Sequence, residues 1–375
     1  MKYFVSVCII LFLSVVVHAQ QAKPINDSIS KSEIKKDRKI KTVIIPTITY
    51  NNSFGTIFGV MASGFYKTKK NDSISPLSKT TFVANYSTNK TWYAVLPSKF
   101  YFNEDRHRAT VVLGVGSVNF QTYVDWGDFL GDLPQGIFNL PEGGEFVDYN
   151  NAMQFAMVEF MTETYKKLYV GARVLYSHNI TTFDVPLKQD EELSQLGVGV
   201  SSVYDTRDDQ MRPLKGMNVK FNTMTFLQSL GSTNDYTNIN FEFNKYYPLQ
   251  ERNTILLRTY GQVAVGDVPF AGQNVVGRDD LRGYSNGKYR ADQVYDIQTA
   301  YRHSFANKWG YVAFAGVATA INGASDISLD NTLPAVGAGI RYMAIPKAKI
   351  NIGVDAAIGR DDWGVYFRIG EAFTR

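Results

Sequence analysis

Thr237-Asn238-Ile239-Asn240-Phe241-Glu242-Phe243-Asn244-Lys245-Tyr246-Tyr247 holds the pattern that decides the fold. In an extended chain Thr237, Ile239, Phe241, Phe243 and Tyr247 share one side. Asn238, Asn240, Glu242, Asn244 and Tyr246 share the other, and Lys245 alone breaks the apolar side. Successive strand side chains point to opposite faces, so this period-two pattern sets one face against an apolar medium and the other against water. Lys349 to Gly359 repeats it, with Ile350, Ile352, Val354, Ala356 and Ile358 opposite Asn351, Gly353, Asp355, Ala357 and Gly359. Gly216 to Phe226 follows it more loosely.

Working outward, the chain divides into sixteen such segments: 41–50, 55–67, 78–88, 91–103, 107–119, 151–164, 167–181, 194–205, 215–228, 236–248, 253–266, 291–305, 309–321, 333–345, 347–359 and 363–373. Many run 11 to 15 residues. Soluble strands average ~5–6 residues, whereas tilted membrane strands need ~9–11. The expected fold is therefore all-β, a transmembrane antiparallel β-barrel of sixteen strands within a range of 12 to 16. A soluble sandwich or propeller is disfavoured by strand length and by the 24 Phe, 23 Tyr and 4 Trp. The first strand is the weakest of the set, because Pro46 interrupts it. Short connections follow even strands (103–106, 165–166, 345–347), and long ones follow odd strands (120–150, 182–193, 267–290, 322–332). That asymmetry is expected of periplasmic turns and outer loops. The connection at 68–77 is long for the periplasmic side.

The N-terminus points to export. Lys2 precedes an apolar run from Phe4 to Val17, and Val17-His18-Ala19 supplies a cleavage pattern, so residues 1–19 read as a signal peptide. The run is too short for a membrane span of ~20 residues. Residues 20–40 are polar and charged and read as a disordered periplasmic leader, leaving one barrel domain at 41–375. Cys8 is the only cysteine, so the mature chain has no disulfide framework or thiolate site. A closed barrel supplies cohesion instead, because it pairs every strand edge. A net charge of +4 over 375 residues argues against a nucleic-acid partner.

The sharpest motif lies in the long loop between strands 11 and 12. Leu281-Arg282-Gly283-Tyr284 resembles the hydrophobic-Arg-Gly-aromatic tetrapeptide of the BamA/TamA-type bacterial surface antigen superfamily, which includes outer-membrane insertases and two-partner secretion transporters. The resemblance implies a loop folded into the lumen, with its arginine docked on the inner wall. The residue chemistry suits that role: Gly283 permits a positive φ, Arg282 is a permanent cation with a planar donor fork, and Tyr284 packs while satisfying its hydroxyl. Tyr204-Asp205-Thr206-Arg207-Asp208, with Pro213 and Gly216, resembles the family's turn between strands 8 and 9. Gly337 to Arg341, Asn351 to Asp355, Gly364 to Phe367 and a terminal strand ending on Phe373 resemble its closing strands and assembly signal, although Thr374-Arg375 follow.

Two departures matter. Strand 12 reads Ala300-Tyr301-Arg302 where the family often has a glutamate, and Phe314 stands where it often has an aspartate. Two usual partners of the loop arginine are thus replaced, and Asp355 is the first candidate in their stead, followed by Asp296 and Glu242. The expected lumen holds Arg173, Lys220, Arg258, Arg302, Arg341 and Arg368 against Glu159, Glu242, Asp296 and Asp355, a cationic excess that would favour anions in an open pore. Catalysis is not expected. The mature histidines His107, His178 and His303 lie on separate segments without metal-ligand spacing, and Ser177 beside His178 points to the opposite face. No cofactor or metal site is read.

The resemblance implies protein insertion or polypeptide transport in the bacterial cell outer membrane. Its expected partners are membrane lipid, the barrel-assembly machinery and an unfolded client. The leader is too short for the POTRA domains that client-handling relatives carry, so a separate partner would supply recognition or the barrel would act alone. A passive channel for a small solute is the alternative.

Overall fold

The computed structural model describes residues 41–51, 54–125, 144–184, 190–250, 252–277, 281–285, 288–329, 331–346 and 349–373. The signal and leader regions, 1–19 and 20–40, lie outside the described residues.

Sixteen strands form the wall: β1 Lys41–Asn51, β2 Gly55–Tyr66, β3 Ser78–Ser87, β4 Trp92–Phe102, β5 His107–Asp125, β6 Gly144–Tyr165, β7 Leu168–Phe183, β8 Glu191–Asp205, β9 Gly216–Phe226, β10 Tyr236–Gln250, β11 Asn253–Gly266, β12 Gln293–Ser304, β13 Trp309–Ile321, β14 Thr332–Ile345, β15 Ile350–Gly359 and β16 Asp362–Ile369. Each pairs antiparallel with its chain neighbours, and β16 meets β1 to close the barrel. Closure satisfies the backbone where no water can, and the β1–β16 edge, with two register pairs, is its least complete part.

The alternation holds in three dimensions, with the usual burial sense inverted. Phe241, Ile297, Val336, Ile340 and Ile358 are exposed on the outer wall, whereas Asn244, Arg258, Asp296, Arg341 and Asp355 are buried inside. This is a polar core inside an apolar shell, as a lipid solvent requires. Exposed aromatic side chains mark both rims: Tyr86, Trp92 and Trp363 toward the long loops, Tyr165, Tyr247 and Trp309 toward the short turns.

Two boundaries differ most from the sequence expectation, each for a visible reason. Of the loop read as 120–150, residues 120–125 and 144–150 are strand, and 126–143 lie outside the described residues. β5 and β6 stay in register out to Asp125↔Gly144, and Tyr149 stacks on Phe120 and meets Phe183 and Phe270. Aromatic packing thus carries the hairpin beyond the expected wall. The final strand stops at Ile369 rather than reaching residue 373, because Gly370 takes a φ of 86° and turns the chain away. The 68–77 connection is long but built. Asp72 accepts hydrogen bonds from the amides of Ile74, Ser75 and Glu104 and from the Ser75 hydroxyl. Ser75's donors, with the other amides, hold its carboxyl well below the usual carboxylate range. Pro46 sits within β1 opposite Val60 of β2, in a stretch with no register partner on β16. Such an edge tolerates a missing N–H.

Lipid-facing and water-facing exposure should respond oppositely to charge. Ile297 is 62% exposed on the mid-wall and Leu329 is 84% exposed in the loop after β13. Ile297→Lys should cost about 2–4 kcal/mol in reversible unfolding from lipid bilayers. Leu329→Lys should stay within about 0.5 kcal/mol. Equal effects would contradict the assignment of the outer wall.

Candidate functional site

The described parts of the long connection 267–292 fold back into the barrel. Its arms form a two-rung ladder, Asn274↔Ala291 and Val275↔Arg290, that points the intervening tip inward. Leu281, Arg282 and Tyr284 are each 2% exposed. Leu281 and Tyr284 pack with Val276, Val294, Ala318, Leu333 and Ala335, so the wall of β12, β13 and β14 supplies an apolar seat for the tip. Gly283 makes the approach possible. Its φ is 109°, and any Cβ would stand 2.9 Å from the Ile358 carbonyl carbon. Its amide donates to the Tyr366 hydroxyl (2.9 Å). The Tyr284 hydroxyl donates to the Pro334 carbonyl (2.6 Å) and accepts from the Arg360 amide (3.0 Å). The Ser285 amide donates to Asp362 (2.6 Å). The tip is therefore fixed to β14, β15 and β16 at once.

Arg282 is the centre of the arrangement. Its Nη1 donates to Asp355 Oδ2 at 2.7 Å, with both side chains essentially inaccessible. Its guanidinium lies 3.3 Å from the centroid of the Phe314 ring. Phe314, where a carboxylate was expected, gives Arg282 a π face instead of a second negative charge. Asp355 also accepts from Arg341, whose Nη2 lies at 3.1 Å, and from Arg368 Nε at 3.3 Å. One carboxylate thus meets three guanidiniums. Arg341 Nε reaches a second carboxylate, Glu371 (3.3 Å), which also accepts from Asn351 (2.6 Å) and lies 4.0 Å from Arg302.

Glu371 and Phe373 belong to the tail that Gly370 turns inward. Phe373 does not end the terminal strand. It packs in the lumen with Tyr246, Leu256, Ala300, Val312, Phe314 and Ala357. Its carbonyl accepts from the Tyr246 hydroxyl (2.9 Å), and Arg258 and Arg282 lie over its ring at 4.6 and 5.6 Å. Ala300 and Phe314, the two departures from the family pattern, are thus the small and flat surfaces against which this aromatic packs.

The other expected carboxylates have different neighbours. Glu242 accepts from Lys220 (3.2 Å) and Asn244, with Arg258 at 4.0 Å, and Asp296 accepts from Gln298. Arg173 faces Glu159 at 4.0 Å. The turn motif forms a separate structure at the short-turn end. Asp205 binds Arg207 (2.7 Å), and Asp208 accepts from the amides of Leu214 and Lys215. Gly216 takes a φ of 101°. The Pro213 carbonyl accepts from Arg302, which joins this turn to the lumenal cluster. Glu371 and Asp362 were not singled out from sequence, and Tyr366 entered only as part of the closing-strand resemblance. The available signal for Glu371 was a charge directly after a glycine inside a presumed membrane strand.

Comparison with known proteins agrees with this geometry. A family model of the Omp85 superfamily domain matches residues 147–373. The fold is similar to BamA from Haemophilus ducreyi lacking POTRA domains 1–3, at a TM-score of 0.58 and 11% identity, over 96% of this chain and 76% of that one. It is also similar to CdiB from Escherichia coli (TM-score 0.59, 12% identity, 88% of this chain) and CdiB from Acinetobacter baumannii (0.58, 10%, 88%). The chain spans 62% and 59% of those two structures. A search of curated proteins returns no match.

Removing one member of a buried ion pair strands the other, at about 3–5 kcal/mol. Asp355→Asn should therefore destabilise more than Arg282→Ala, since it takes a shared anion from three guanidiniums, of which Arg341 keeps Glu371, whereas Arg282→Ala leaves a carboxylate that keeps two partners. Both should release the tip, read as protease cleavage within 277–290 of the heat-modifiable folded band. A double-mutant cycle should show coupling of about 1 kcal/mol or more. Strict additivity, or a loop that stays resistant, would contradict the pairing.

Proposed function

Because the chain belongs to the Omp85 superfamily, whose barrel fold is that of bacterial outer-membrane proteins, we propose that it acts in outer-membrane protein insertion or translocation through a β1–β16 seam that opens toward the bilayer. The observation that carries this reading is the asymmetry of closure. β1 pairs with β2 along its whole length, from Lys41↔Phe65 to Asn51↔Gly55. Against β16 it has two register pairs, Tyr50↔Val365 and Asn51↔Gly364, at the end nearest the long loops, where Tyr50 also stacks on Trp363. Below that point β1 offers donors and acceptors that an incoming client strand would satisfy by β-augmentation.

The lumen supports the same reading. Loop tip and C-terminal tail occupy the barrel interior, and β16 is tied inward through Arg368, Glu371 and Phe373. Conformational change at the seam is thereby coupled to the Arg282 cluster. An unfolded protein is the client, and the short turns face the periplasm. A passive channel with anion preference is the second reading, favoured by the arginines of the wall.

Cysteines at the register pair Tyr50 and Val365, in a Cys8→Ser background, test the seam. The oxidised barrel should lose the ability to accelerate client-barrel insertion into liposomes, by about tenfold or more, and reduction should restore it, with single-channel conductance unchanged. An oxidised barrel that retains full activity would sink the seam mechanism. Steady conductance that rises on deleting 267–290, without any insertion activity, would favour the channel.

A further inference from the structure

The outer wall carries a polar trio that the seam mechanism does not use. On β7 the outward residues include Val174, Tyr176 and Ile180, all exposed, and His178 shares their parity. On β8 the outward residues include Val198 and Val200, and Glu192 and Ser194 share theirs. Ser177, the chain neighbour of His178, points inward, but the strand register places Ser194 directly across from His178. His178 Nδ1 lies 2.9 Å from Ser194 Oγ, and His178 Nε2 lies 3.8 Å from Glu192 Oε1. A neutral imidazole with its proton on Nε2, facing Glu192, leaves the Nδ1 lone pair aimed at the serine hydroxyl. That is the division of labour of a nucleophile, base and orienting acid.

Two independent features frame the trio. The backbone of Ser194 is clamped beyond the end of β9: Thr233 N donates to its carbonyl (2.8 Å), and its amide donates to Thr233 Oγ1 (3.1 Å). An apolar groove of about 440 Å³ also runs along the outer wall of β3 to β7, lined by Phe82, Ala94, Leu96, Leu113, Val115 and Tyr176. Gln154, which also lines the groove, stands directly across from His178 in the strand register, one strand from Ser194. An apolar groove on a bilayer-facing wall suits an acyl chain, and a chain lying there would have its ester end within a strand or two of Ser194. His178 lies near the long-loop end of β7, which places the trio in the outer leaflet for the orientation proposed above.

We propose that Ser194, His178 and Glu192 form a hydrolytic site that cleaves acyl esters of outer-leaflet lipid. Ser194 Oγ attacks the ester carbonyl while its proton passes to His178 Nδ1. The tetrahedral intermediate collapses, the C–O bond to the lipid alcohol breaks, and His178 returns the proton to that alcohol. Water, deprotonated by the same nitrogen, then attacks the acyl-serine and releases a fatty acid, with Ser194 reprotonated. Glu192, 3.8 Å from Nε2, stabilises by its charge the imidazolium formed in each half-reaction.

The test uses the full-length refolded barrel in liposomes of phosphatidylethanolamine and, separately, in vesicles containing lipopolysaccharide, with released fatty acid measured by mass spectrometry. Release from either substrate supports the site and identifies which lipid supplies the ester. Ser194→Ala and His178→Ala should each lower release by at least about 100-fold, and Glu192→Gln by about tenfold, with heat-modifiability intact. A fluorophosphonate should label wild type and not Ser194→Ala. The seam-locked Tyr50→Cys/Val365→Cys barrel should still hydrolyse, which separates this site from the seam reading. No release from either vesicle, no labelling, or full release by Ser194→Ala would overturn the proposal.

Discussion

A guanidinium sealed inside a protein must be neutralised where it lies, and in this barrel that condition falls on Asp355. Its carboxylate meets Arg282 from the loop, Arg341 from β14 and Arg368 from β16, and is itself fully buried on β15. Because a buried charge without a partner costs several kcal/mol, none of the four elements can move alone without stranding charge. Gly339 faces Asp355 in the register of β14 and β15, and a side chain there would collide with the carboxylate. The closing strands and the loop thus behave as one unit built around Asp355, to which Arg341 joins the tail through Glu371.

That unit explains the asymmetry of the wall. β16 has eight register partners on β15 but two on β1. Its continuation, Gly370 to Phe373, leaves the sheet for the lumen, where Glu371 takes Arg341 and Asn351 and Phe373 takes Arg258, Arg282 and Tyr246. The last strand is held from inside more than from its edge. A seam with few ladder bonds, backed by a buried polar network, is the feature on which the proposed opening rests.

The strand pattern was legible in sequence because lipid on one side and water on the other impose period-two alternation on nearly every segment, and Thr237 to Tyr247 shows it plainly. The wall's polar residues were legible for the same reason. Three things were not. The strand ends at Asp125 and Gly144 depend on aromatic contacts between distant residues, Tyr149 with Phe120 and Phe270. The inward turn at Gly370 needs a backbone angle that composition does not reveal. Cross-strand neighbours such as Ser194 and His178 depend on register, which one residue of slip would undo. Phe314 was noticed only as a missing carboxylate, and its role as the surface beneath Arg282 required the loop to be in place.

The inward position of that loop is the claim on which the rest depends, and one cross-link tests it. Ser285 and Asp362 are joined by two hydrogen bonds, at 2.6 and 3.2 Å, between the loop tip and the start of β16. With both changed to cysteine in the Cys8→Ser background, the folded barrel should oxidise to a single intramolecular disulfide and resist a membrane-impermeant maleimide. Two free thiols that react with the maleimide in the folded, heat-modifiable protein would place the loop outside the lumen and contradict the account.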